Sequence, residues 1–177
     1  LPPVLYGEGH PYAIPFSGSG TEASIAALSR EDLVAFHRDQ LHPQLATVVA
    51  VGAIEMDALL PLLEKHFADW RADRAAPALP ALPVVELPQG QRVFLVDQPG
   101  AIQANILVGQ LVDSTRSPRS IEFDVANGVI GGTFTSRLNM NLREDKSWSY
   151  GAFSFVPGAL GQRPWIVSAP VQIDRTV

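Results

Sequence analysis

The sequence predicts an α+β fold, and three observations carry that expectation. Stretches with apolar residues at helical spacing alternate with short β-branched runs. These elements fall into two sets: helix, strand, helix before residue 70, then strands, helices and strands again after residue 91. Between the sets, RADRAAPALPALPVVELPQG (71–90) carries Pro77, Pro80, Pro83 and Pro88, the composition of an extended, semi-rigid connector. Two domain-like pieces over 1–70 and 91–177, joined by a Pro-rich linker over 71–90, follow from that division.

Taken in order, residues 1–20 read as loop, because Pro2, Pro3, Pro11 and Pro15 alternate with Gly7, Gly9, Gly18 and Gly20. Inside this stretch YGEGHPY sets aromatic rings around a Gly-Pro turn. The first helix begins near Ser29, an N-cap followed by Glu31 and Asp32, and shows Leu33, Phe36, His37 and Leu41 on one face before Pro43 ends it. QLATVVAVGA (44–53) is a run of Val and Ala that predicts a strand buried on both faces. A second helix carries Met56, Leu59, Leu60, Leu63, Phe67 and Trp70 as a stripe lying against that strand, with Pro61 tolerated if the regular helix starts near Asp57.

After the linker, RVFLVDQ (92–98) predicts a short strand, and AIQANILVGQLV alternates as a second strand able to pair with it antiparallel. Ser117-Pro118 predicts a helix start, and that helix runs through Ile121, Val125 and Val129 to a stop at Gly131-Gly132. A short helix over roughly Ser136 to Glu144 shows Leu138 and Leu142 at i, i+4. SYGAFSFVP and RPWIVSAPVQI then read as strands, and PVQIDRTV ends where a further helix could begin.

Composition narrows the function classes. Hydrophobic residues make up 46% and charged residues 18% of 177, enough apolar surface for a packed core. A net charge of −5 and scattered Lys and Arg argue against a nucleic-acid partner. The chain has no cysteine, which removes disulfides, thiolate metal sites and a cysteine nucleophile. No apolar run approaches the roughly 18 residues of a membrane span. The opening Leu1-Pro2-Pro3 suggests a chain cut from something longer.

The usual catalytic motifs are missing. His10, His37, His42 and His66 match neither HExxH nor HxxEH, so no metal ligand is assigned. GxSxG is absent, and SGSGT (17–21) sits in a loop. GVIGGTF ends a helix where a phosphate loop would open one. What remains is NLREDKSWSYG (141–151), which joins Arg143 in a helix's last turn to Tyr150 at a strand's start. On residue types alone, an Arg favourable to a helix dipole and an ordinary strand Tyr explain both.

The context adds more. HPY at 10–12, SREDLVAFHRDQL, VGAIE, the helix ending in FADW, LVDQPGAIQANILVG and, above all, NGVIGGTFTSRLNMNLREDKSWSYGA resemble the pitrilysin/insulinase family of zinc metallopeptidases. The likeness runs in order over nearly the whole chain. It implies pieces of two similar α/β-roll domains, antiparallel sheets covered by helices, that face each other across a chamber. It implies that the inverted zinc motif HxxEH and a more distal Glu ligand precede residue 1, so zinc belongs to the intact parent and none is bound by this segment. Arg143 and Tyr150 match the family's catalytic Arg and Tyr in type and spacing. There a zinc-bound water activated by Glu attacks the peptide carbonyl, and the pair steadies the charge that grows on its oxygen.

The resemblance also implies substrate contact at Gly131, Gly132, Thr133 and Phe134, where the family has a glycine-rich loop near the chamber, although helix-end packing explains these glycines too. Trp148 stands where that family more usually has glycine. The implied activity is endoproteolysis of peptides or unfolded polypeptides by the parent, this segment alone being inactive. The alternative is a non-catalytic partner or scaffold subunit that lacks zinc. Expected partners are a peptide substrate and the missing zinc-bearing segment or a partner subunit of the same family. Exposed apolar surface on a divided domain also points to a homo-oligomer. Alanine- and proline-rich relatives are often exported, so a periplasmic location is expected, with the cytoplasm as the alternative.

Overall fold

Ser29 starts the first long helix as its spacing predicts. The computed structural model describes residues 1–78 and 81–176, in two compact units: Gly20–Ala81, and Leu1–Ser19 with Leu82–Val177.

In the Gly20–Ala81 unit, α2 (Glu22–Ala27) and α3 (Arg30–Gln40) each open with a reciprocal cap, Thr21 with Ser24 and Ser29 with Asp32. The bonds from the Ser29 side chain and backbone hold the Asp32 carboxyl below its usual range. A 3₁₀ turn follows at Pro43–Leu45, and α4 spans Met56–Phe67 with Pro61 inside it. Asp39 accepts from Arg38 and from Arg74, and those hydrogen bonds hold its carboxyl far below the ordinary carboxylate range. Buried His42 takes the Gln44 amide on Nδ1 (3.2 Å) and meets the Arg74 carbonyl with Nε2 (2.9 Å). The start of the Pro-rich segment is thereby pinned onto this unit.

The expected strand at 44–53 does not form. A strand needs a neighbour to satisfy its backbone groups. None of the described strands lies beside this run, and Val49 and Val51 are 80% and 96% exposed. The α4 stripe therefore has no strand to lie against, and Met56 and Leu60 are exposed.

In the other unit, α1 (Pro2–Tyr6) corrects the expectation of a plain loop over 1–20. Prolines are tolerated in a helix's first turn, where their missing N–H would have no partner anyway. Leu1 and Leu5 lie against Gly109, where an added Cβ would meet their side chains at 3.1–3.3 Å. Tyr6 is buried, stacks on His10 (4.9 Å) and meets Tyr12 edge-on (5.6 Å), so the rings of YGEGHPY do cluster. Its hydroxyl donates to the Gln162 carbonyl at 2.9 Å, and burial, with Tyr12 nearby, pushes it up to about 12.

A three-stranded antiparallel sheet organises this unit: β1 (Gln103–Val112), β2 (Phe153–Phe155) and β3 (Arg163–Gln172), in the order β1-β3-β2. β1 thus pairs along its whole length with β3, Gln103 opposite Gln172 through Val112 opposite Arg163. The expected strand at 92–98 does not form, and its pairing with β1 is replaced by β3; Leu95 and Val96 are exposed. Pro164 and Pro170 sit in the central strand because β2 spans only Ile166 to Ser168 of it. By strand alternation their missing N–H groups share the side on which Gln172 N–H donates to the Trp148 carbonyl, away from β1.

The next helix, α5 (Ser120–Asn127), begins two residues later than a Ser117 cap with Pro118 at the first helical position predicts; Ser117 Oγ accepts from the Arg119 amide in a preceding turn. A π-helical turn, Gly128–Gly132, continues it. α6 (Arg137–Asn139) likewise runs on into a π-helical turn over Met140–Asp145. Leu138, Leu142 and Trp148 pack against Ala152, Ala169 and Val171, which seats this helical stretch on the sheet. Of the Pro-rich segment, Pro80 lies outside the described residues. Val85 and Gln162 exchange two hydrogen bonds (2.7 and 3.0 Å), and His10 Nε2 meets the Pro83 carbonyl at 3.1 Å.

Candidate functional site

Three segments of the second unit meet at one place on its surface: the loop after the first π-helical turn, the second π-helical turn, and the approach to β2. Arg143 supplies the centre. Its guanidinium carbon lies 4.6 Å from the centroid of the Phe134 ring and 5.0 Å from that of Tyr150. The structure therefore brings together Arg143, Tyr150 and Phe134, three of the residues singled out from the sequence. Each cation–ring contact at a wet site contributes about 0.5–1 kcal/mol. The guanidinium is planar, and its N–H donors lie in that plane. Its Nε forms an ion pair with Glu144 at 3.4 Å.

The backbone explains how Tyr150 reaches this position. Ser147 is left-handed (φ 53°), which turns the chain back so that the Trp148 and Ser149 amides both donate to the Leu142 carbonyl, at 2.9 and 3.3 Å. Ser149 Oγ then donates to the Gly151 carbonyl (3.0 Å) and accepts from the Gly151 amide (3.2 Å). With its neighbours tied down, Tyr150 projects outward and is 84% exposed. The position that geometry reserves for glycine is thus Ser147. Trp148 itself is half-buried against the core with Lys146 over its ring at 4.9 Å, and has no need of glycine's freedom.

A left-handed non-glycine residue costs about 1–2 kcal/mol, part of which glycine loses again through its freer unfolded chain. Ser147→Gly is therefore expected to stabilise the domain by about 0.5–1 kcal/mol. A thermal melt with an unchanged or lower midpoint would contradict that.

The glycine pair has a mainly structural place. Gly131 is buried, and a Cβ there would approach the Ser154 backbone nitrogen to 2.7 Å. Gly132 lies against Asn127, whose side chain accepts from Ser154 Oγ (2.5 Å) and Trp165 Nε1 (2.7 Å). Thr133 is exposed and donates to the Gly128 carbonyl at 3.2 Å, and Phe134 is half-exposed beneath Arg143. Nothing in the sequence pattern marks Asn139, yet it is fully buried between the Phe134 loop and the approach to β2.

Neither the cavity of about 360 Å³ lined by Ile130, Arg137, Leu138 and Asn141 nor that of about 420 Å³ around Arg119, Phe123 and Arg163 includes Arg143 or Tyr150. Tyr150 is exposed, and Arg143 beside it is half-buried. Among the described residues no group of three His, Asp or Glu side chains could hold a metal ion. His10 and His42 have both ring nitrogens engaged by backbone groups.

Residues 27–177 match the family described as "Peptidase M16 inactive domain". An uncharacterized zinc protease of Mycobacterium bovis is 26% identical over 151 residues, covering 85% of this chain and 34% of the relative. The uncharacterized zinc protease YmxG of Bacillus subtilis is 27% identical over 136 residues, 77% of this chain and 32% of the relative. The chain thus spans about a third of the length of the curated relatives it matches. Among solved structures, a peptidase M16 inactive domain from Pseudomonas fluorescens superposes with a TM-score of 0.80 at 22% identity, over 97% of this chain and 40% of that one. A protease from Helicobacter pylori gives 0.75 at 22%, over 86% and 37%.

Proposed function

Because the chain belongs to the peptidase M16 inactive-domain family, we propose that it is the substrate-facing segment of a longer zinc endopeptidase that hydrolyses peptides or unfolded polypeptides. The observation that supports this reading is the Arg143 guanidinium set over both the Phe134 and Tyr150 rings, with Tyr150 exposed. Hydrolysis of a peptide bond places growing negative charge on the scissile carbonyl oxygen. The Tyr150 O–H and the in-plane N–H groups of Arg143 are donors suited to that oxygen and to neighbouring substrate carbonyls. Thr133 and Phe134 border the same surface. An extended substrate added along the outer edge of β2 would run past Tyr150, three residues before Phe153.

The zinc motif belongs, in this reading, to another part of the longer protein or to a partner subunit. A non-catalytic partner subunit is the second reading, favoured by the word "inactive" in the family's description. The test is cleavage of an unstructured peptide by the full-length protein before and after chelation. Activity lost to the chelator and restored by zinc is expected. Activity indifferent to chelation contradicts a zinc peptidase, and activity that arises only when a second family subunit is added selects the partner reading.

A further inference from the structure

Asn139 is 0% exposed, in the middle of a helical stretch where a polar side chain has no intrinsic advantage. Burying an amide is unfavourable unless both its ends are bonded. Both are. Nδ2 donates to the Phe134 carbonyl at 2.7 Å, and Oδ1 accepts from the Ala152 amide at 3.1 Å. A backbone carbonyl only accepts and a backbone N–H only donates, so these partners fix which end of the carboxamide faces which. The two bonds reach both segments that flank the guanidinium: the loop bearing Phe134 and the chain two residues beyond Tyr150. The third segment is Asn139's own, since Arg143 lies four residues further along the same helical stretch.

We infer that Asn139 is a positioning residue, whose carboxamide sets the spacing of Phe134, Arg143 and Tyr150 as one unit. Leu at this position could fill the space, and Ser or Ala would leave part of it empty, but none of them could join a donor and an acceptor on one rigid plane. The inference rests on the reading of Arg143 and Tyr150 given above, and the test separates the two. Asn139→Asp preserves size and the acceptor facing Ala152 while removing the donor to Phe134. In the full-length protein cleaving an unstructured peptide, it is expected to lower kcat by about 10–100-fold with KM changed less than about 3-fold, the scale of misplaced catalytic groups. In an Arg143→Ala background the same substitution should lower kcat by less than about 3-fold, because the group it positions is gone.

If Arg143→Ala alone leaves kcat/KM intact, the reading of the site fails. If Arg143→Ala is impaired but Asn139→Asp keeps its kcat, or if the two losses multiply, the positioning role fails and the site stands. Should Asn139→Asp not fold, amide exchange of the unaltered protein decides. The Ala152 N–H should exchange at least about 100-fold more slowly than that of exposed Tyr150, and equal rates would overturn the clamp.

Discussion

Arg143→Ala, made in the full-length protein, is expected to lower kcat/KM for peptide cleavage by about 10²–10³-fold, the usual loss when one donor to a developing oxyanion is removed. Tyr150→Phe, which deletes a single oxygen, should cost a comparable factor. Because the guanidinium lies over the Tyr150 ring, 5.0 Å from its centroid, the two losses are not independent. Arg143→Ala also frees Tyr150 to move, so the double variant should fall short of the product of the singles. Arg143→Lys keeps the charge but loses the planar face and the fork of donors, and should recover only a small part of the loss. Circular dichroism and a thermal melt accompany each variant. Both side chains lie at the surface, outside the cluster of Ala152, Ala169 and Val171, so the fold should persist. Variants as active as the parent would remove Arg143 and Tyr150 from the chemistry.

Gly131→Ala is the substitution with the largest expected effect on stability. The new methyl would approach the Ser154 amide nitrogen to 2.7 Å, and its neighbour there is backbone of β2, which cannot rotate aside. Relief requires the π-helical turn and β2 to separate. That would also strain the Ser154 Oγ bond to Asn127, which in turn accepts from Trp165 of the central strand. Overpacking of this kind costs about 1–3 kcal/mol, read as a lower midpoint in denaturant. The measurement also distinguishes two roles for the residue. A glycine needed only for close approach of substrate would leave the midpoint unchanged and raise KM.

Much of the fold could be read from local signals, and the failures among the strands share one cause. Ser29 with Asp32 announces α3, and the alternation in QANILVGQLV announces β1. Both signals are contained in the segments themselves. The runs at 44–53 and 92–98 have equally β-rich composition, but a strand exists only with a partner, and composition does not name one. The partner of β1 escapes sequence reading for the same reason: proximity favours the run at 92–98, and β3, some sixty residues on, takes its place. α1 was hidden by its own prolines, which read as breakers although a helix's first turn accepts them.

The site divides in a similar way. Arg143 and Tyr150 were not distinctive as residue types, and only the surrounding stretch, whose family resemblance the match over 27–177 supports, set them apart. Their meeting depends on Ser147 taking a left-handed turn that serine does not advertise, and on Asn139, an isolated polar residue with no periodic signal. Phe134 was expected as part of a glycine-rich loop, and the structure puts its ring against the guanidinium.

On the proposed reading, Arg143 and Tyr150 bind the tetrahedral, negatively charged arrangement more strongly than they bind the peptide itself. A phosphinic peptide, in which a charged tetrahedral group replaces the scissile amide, measures that difference directly. Across Arg143→Ala, Arg143→Lys and Tyr150→Phe in the full-length protein, its inhibition constant should rise in step with the fall in kcat/KM, while affinity for the matching uncleaved peptide changes far less. An inhibition constant that stays put as kcat/KM falls would contradict the account.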